Sequence, residues 1–163
     1  MARAIEEGMA ARETLQRNYV AAWNARDADR IAAFFTADAV YDDRGAGDVA
    51  RGAEEIRAHA AKVHAAFGDL HFELVRSAHA DGFSAGEWHS RMTHLGELEG
   101  LKPTGRVVES DGVDVATIDA DGKISHLVSY YDGAAIMRDL GLLPARGSRV
   151  ERLLVRARSL LRR

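Results

Sequence analysis

An α+β fold is what the sequence predicts, with helices gathered first and an antiparallel sheet after them. Three observations carry this. Apolar residues recur at helical spacing as far as Phe67. From Leu70 onward they alternate with polar ones, and the pairs Asp81-Gly82 and Asp121-Gly122 mark hairpins. Helices segregated from a run of strands pack on one side of a curved sheet.

Residues 3–24 read as the first helix, with Ile5, Met9, Leu15, Tyr19, Val20 and Trp23 near one face. Asp27 is a candidate N-cap for a short second helix carrying Ile31, Phe34 and Phe35. Residues 39–43 read as a short strand that runs into a loop, Arg44 to Gly52, with three Gly. A third helix follows over Ala53 to Phe67, with Ile56, Val63 and Phe67 inward. Leu70, Phe72 and Leu74 open the sheet, and strands are expected over about 83–95, 107–119 and 123–132. Ala134 to Leu140 forms a short helix stopped by Gly141 and Pro144.

The 163 residues suit one domain, and 47% apolar against 29% charged residues suit a packed core. There is no Cys, which excludes disulfides, thiolate metal sites and cysteine nucleophiles. The N-terminus has no signal-peptide pattern and no window approaches a membrane span, so a cytoplasmic protein is expected. Gly-rich phosphate loops and HExxH are absent, and Gly82-Phe83-Ser84-Ala85-Gly86, although it has the GxSxG spacing, opens an expected strand after a hairpin turn and is no strand-to-helix nucleophile elbow. The net charge of -3 is a sum of unlike parts. Residues 145–163 hold seven Arg and one Glu, a net +6, whereas residues 1–144 hold 15 Lys and Arg against 24 Asp and Glu, a net -9. An acidic body repels a nucleic acid. Residues 1–144 are expected to form the domain. Residues 145–163 are expected to form a basic amphipathic helix, with Val150, Leu153, Leu154, Ala157, Leu160 and Leu161 on one face and Arg149, Arg152, Arg156 and Arg163 largely on the other. Its expected place is against the acidic body or across a dimer, with an anionic membrane surface the lesser alternative.

The chemistry rests on carboxylates among apolar neighbours, which are costly unless paired, hydrogen-bonded or protonated. Asp132 ends the fourth strand and shares its parity with Tyr130, Val128 and His126; it is also placed to cap the next helix. Asp114 lies mid-strand with Val108, Ala116 and Ile118 on its face, a candidate buried group or an outward strand residue. Asp43 follows Val40-Tyr41 and suits either a site or a turn. His59 and His64 stand five apart, a poor metal spacing, and no metal is expected. Tyr19, Tyr41, Trp88 and Tyr130 are either core residues or the wall of an apolar pocket.

Several segments resemble a known family. Tyr19-Val20-Ala21-Ala22-Trp23-Asn24-Ala25-Arg26-Asp27, with Phe34-Phe35 and Asp38-Ala39-Val40, resembles the opening of the nuclear-transport-factor-2-like (NTF2-like) superfamily. Three later segments are similar to its SnoaL-like polyketide cyclases: Thr93-His94 through Pro103-Thr104-Gly105, Gly112-Val113-Asp114-Val115 with Asp121-Gly122-Lys123-Ile124, and Tyr130-Tyr131-Asp132 with Leu140 to Pro144. The resemblance covers about residues 10–145. It implies a cone-shaped fold whose curved, mainly antiparallel sheet is closed by helices around an apolar pocket. It also implies a homodimer and acid/base ring closure of an aromatic polyketide ester without cofactor or metal. The principal carboxylate then corresponds to Asp132, with Trp88, Tyr41, Tyr130, His94 and His126 toward an apolar or aromatic small-molecule substrate. A second resemblance, to ketosteroid isomerase, falls on Tyr19 and Asp114 as proton donors and Asp43 as base. The chain departs from many SnoaL-like members at Val128, where they carry an aromatic, and at Asp139, where they carry Gln. A non-catalytic binding or docking module is the remaining alternative.

Overall fold

The computed structural model of the chain describes residues 2–160, with side-chain surroundings over 8–158. Ile5, Leu160, Leu161 and Arg163 of the expected helical faces lie outside the described side chains. The elements are α1 (Ala2–Asn24), α2 (Ala28–Ala32), β1 (Phe35–Asp43), β2 (Asp48–Arg51), α3 (Gly52–Ala66), β3 (His71–Ala80), β4 (Phe83–Thr93), β5 (Val107–Ile118), β6 (Ile124–Tyr131), α4 (Gly133–Asp139) and α5 (Arg149–Leu160). The strands form one curved sheet in the order β2-β1-β6-β5-β4-β3.

Local chemistry sets the starts and turns. The Asp27 carboxylate accepts the Arg30 N–H and caps α2. Gly82 and Gly122 adopt positive φ in the two Asp-Gly turns. The Asn24 side chain donates to the Phe72 carbonyl and accepts the Phe72 N–H, which fastens the end of α1 to β3. Inside the cone, Tyr19, Trp23, Ile31, Phe35, Tyr41, Ile56, Phe67, Met92, Val108 and Leu127 form one buried cluster. Fully burying each large apolar side chain stabilises the fold by about 1.5–3 kcal/mol before chain entropy opposes it.

Four features correct the sequence reading. First, Phe35 belongs to β1 rather than to the second helix; the sheet itself is mainly antiparallel as expected, with β1 pairing β6 in parallel. Second, the expected loop over 44–52 contains β2, which pairs antiparallel with β1. Third, the inward parity of β6 is shifted by one. Ile118 pairs with Ile124 but Thr117 pairs with His126, so Ser125 is an extra, bulged residue. One inserted residue flips every later side chain to the other face. Leu127, Ser129 and Tyr131 therefore point inward, and the row His126, Val128 and Tyr130 points outward. Fourth, α5 does not bury its apolar row against the body: Val150, Leu153 and Leu154 are more than half exposed. Deleting residues 145–163 is therefore expected to leave the thermal unfolding midpoint of the chain unchanged within the range of surface substitutions, about 0.5 kcal/mol. A marked fall in a melting experiment would contradict this.

Candidate active site

A cavity of about 530 Å³ occupies the open side of the cone. Its walls are mostly apolar and aromatic: Trp23 from α1, Phe67 after α3, Phe72 from β3, Trp88 and Met92 from β4, and Tyr41 from β1. Helix α4 adds Ile136 and Met137, and the β4–β5 connection adds Leu98 and Leu101. Of its polar groups, Asp43, Asp48, His59, Ser129 and Tyr131 lie toward the β1–β2 end, while Lys62, Ser90, Glu99 and Ser110 line it elsewhere.

Asp43 is 6% exposed and serves two purposes. One oxygen accepts the Ala46 N–H at 2.9 Å and holds the β1–β2 turn, as the turn reading expected. Its other oxygen stands 3.6 Å from His59 Nε2. The Tyr131 hydroxyl is turned toward the Asp43 carboxyl, and burial followed by this negative charge pushes the Tyr131 hydroxyl far above its ordinary range. Gly45 makes this contact possible, because a Cβ there would stand 2.2 Å from the Tyr131 ring. Tyr41, beside His59, is also held protonated, chiefly by burial.

One row of Cα partners crosses the sheet through the site: Asp48, Asp43, Ser129, Asp114 and Gly86. Asp43 and Asp114 are thus two strand spacings apart, about 10 Å. Asp114 does not line the main cavity. It lies behind the wall and accepts the Trp88 indole N–H at 3.0 Å and the Ser129 hydroxyl at 2.7 Å. Burial pushes its carboxyl up to about 6, and the charge of Asp43 adds to this; the two hydrogen bonds oppose it. Asp114 and Tyr19 face a second space of about 30 Å³ between α1 and the sheet. The Tyr19 hydroxyl is buried without a hydrogen-bond partner, and burial, with the charges of Asp114 and Asp43 adding, keeps it protonated.

Trp88 separates the two spaces. Its ring lies across Gly112, where a Cβ would stand 2.3 Å from Cζ2. Gly112→Ala is expected to displace the indole, break its bond to Asp114 and cost about 1–3 kcal/mol through overpacking. The checks are tryptophan fluorescence and denaturant unfolding; an unchanged emission spectrum would contradict the placement.

The remaining expected site residues fall elsewhere. Asp132 is exposed and caps α4 by accepting the Ala135 N–H at 2.9 Å. It lies beyond the cavity lining because the bulge at Ser125 turns its expected parity row outward. Tyr130 is 50% exposed on that outer row, and His126 is exposed beside it. His94 is buried but does not line the cavity. Its Nδ1 accepts the Thr104 N–H and pairs with the Thr104 hydroxyl, which closes the β4–β5 connection. The sequence reading passed over His59, Ser129 and Tyr131 as site residues. Ile56, His59 and Val63 fall on one helical stripe, so a polar residue on an apolar face was the signal for His59. Among the described residues no group of three or more His, Asp or Glu is arranged to hold a metal ion.

Comparison with known proteins places this geometry. The chain aligns structurally with AclR from Streptomyces galilaeus, a hydroxylase candidate, at a TM-score of 0.74 and 25% identity over 94% of this chain and 96% of that one. It also aligns with IdmH from Streptomyces antibioticus, a polyketide cyclase candidate, at 0.68 and 22% over 80% and 98%. A protein of ketosteroid isomerase-like fold from Catenulispora acidiphila aligns at 0.69 and 18% over 82% and 96%. No curated protein matches the sequence. The family model for the SnoaL-like polyketide cyclase matches residues 13–140, from the middle of α1 to the end of α4, and includes Asp43, Asp48, His59, Ser129 and Tyr131. The fold is accordingly NTF2-like, and the chain belongs to the SnoaL-like polyketide cyclase family.

Proposed function

We propose that the cavity closes a ring of an activated aromatic polyketide ester by intramolecular aldol condensation, with Asp43 as the base. One observation carries this reading. Of the four groups expected to be catalytic, Asp43 alone lines the large apolar cavity, and it does so buried and hydrogen-bonded. A carboxylate there removes a proton α to a carbonyl, and the proton passes to Asp43. The hydroxyl of Tyr131 stands protonated beside Asp43 before this step. Once Asp43 is neutral, the enolate oxygen is the better acceptor, and Tyr131 turns to it. The enolate carbon then bonds to the second carbonyl carbon, and the resulting alkoxide takes the proton back from Asp43. Asp114 acts from behind the wall by fixing Trp88 and Ser129, and so has a positioning role. Tyr19 and Asp114 do not reach the main cavity, which favours ring closure over the isomerase-like arrangement of those residues.

The test is conversion of a panel of aromatic polyketide β-keto methyl esters by the purified protein, followed by mass spectrometry. Ring-closed product is expected. Tight binding without conversion by the wild type would favour a non-catalytic pocket protein. We also propose a homodimer: the register partners Val113 and Tyr130 expose apolar surface on the outer face of the sheet. A monomeric mass in sedimentation would contradict it.

A further inference from the structure

Asp43 and Asp48 are direct cross-strand partners in the β1–β2 hairpin. Like charges so placed repel one another. His59, from α3, stands between them, with Nε2 at 3.6 Å from an Asp43 oxygen and Nδ1 at 3.5 Å from an Asp48 oxygen. The edge of its ring packs against Tyr41 at 5.0 Å and 80°, which fixes the plane that aims both nitrogens at carboxylates. A clamp joining α3 to the hairpin needs only one of these carboxylates.

Exposure changes along the row. The side chains of Asp43 and His59 are each 8% exposed, whereas that of Asp48 is 51% exposed. All three side chains line the cavity, but Asp48 is half exposed, so a substrate seated over Asp43 cuts Asp43 off from water on the cavity side and leaves Asp48 in contact with it. We propose that Asp43, His59 and Asp48 form a proton relay that joins the buried base to solvent while the cavity is occupied. This rests on the assignment of Asp43 as base.

The protons balance over one cycle. Asp43, having taken the α-proton, gives it to His59 Nε2, and Nδ1 gives its own proton to Asp48 and thence to water. When the aldol alkoxide forms, the flow reverses. A proton enters through Asp48 to Nδ1, Nε2 returns one to Asp43, and Asp43 protonates the alkoxide. The imidazole ends in its starting tautomer. The N···O distances exceed a hydrogen bond by about half an ångström, and such contacts tighten when a ligand is bound.

A steroidal β,γ-unsaturated ketone, Δ5-androstenedione, separates the relay from the base. In its conjugation one proton leaves the α-carbon and one arrives at the γ-carbon, and the product enone absorbs in the ultraviolet. The reaction is run in D2O, with deuterium at the γ-carbon of the product measured by mass spectrometry. Wild-type product is expected to carry solvent deuterium there in most molecules. His59→Gln and Asp48→Asn are expected to lose that deuterium, because the abstracted protium returns from Asp43. Asp48→Asn is half exposed and keeps the fold, which covers the case of a destabilised His59 variant. Equal deuterium per turnover in all three proteins, or protium transfer already complete in the wild type, overturns the relay alone. Undiminished conjugation by Asp43→Asn overturns the base assignment and the relay with it.

Discussion

Asp43→Asn is expected to lower turnover about 10²–10⁴-fold, the usual contribution of a positioned acid/base. The fold is expected to survive, because Asn keeps an oxygen to accept the Ala46 N–H that holds the turn. The matched control is Asp132→Asn. Asn caps helices about as well as Asp, and Asp132 stands outside the cavity, so turnover and stability are both expected to stay near wild type. Steady-state kinetics on both variants, with melting curves, read the outcome. The opposite pattern would return the principal role to Asp132, where the family resemblance places it.

Asp114→Asn is expected to make the protein more stable above pH 6, by roughly 2–3 kcal/mol. The carboxyl is pushed from its ordinary 3.8 up to about 6, first by burial and then by the charge of Asp43. The folded state therefore binds more protons than the unfolded chain between these values. Stability from this group is present below the unfolded value and is lost as pH rises through about 4 to 6. Asn keeps an acceptor for Trp88 and Ser129 but carries no charge, so this dependence vanishes. Urea unfolding at a series of pH values measures it. The variant's advantage is expected to be greatest near neutrality and absent at the acid end. A variant less stable than wild type at neutral pH would contradict the burial of a costly charge.

The elements were legible where their signals are local. The Asp27 cap, the two Asp-Gly turns and the period switch after Phe67 all depend on neighbours in sequence, and each has its counterpart in the structure. The strand β2 was not legible, because four residues among glycines carry no periodicity. The parallel pairing of β1 with β6 joins segments nearly 90 residues apart, and nothing local encodes it. The site shows the same division. Asp43 and Asp114 followed from their apolar neighbours. A single bulge at Ser125 moved Asp132, Tyr130 and His126 out and brought Ser129 and Tyr131 in. His59 became meaningful only when α3 and the β1–β2 hairpin were brought together in space.

In the proposed mechanism enolisation takes place against Asp43. A crystal structure with β-naphthol, a flat phenol that mimics a bound enolate, tests it most directly. The ring is expected in the cavity beside Trp88, with the carbon next to the hydroxyl-bearing one about 3–3.5 Å from the Asp43 carboxyl. Its oxygen is expected to accept from Tyr131. A naphthol seated against Asp132, or in the cavity with its oxygen turned away from the β1–β2 end, would contradict Asp43 as the base.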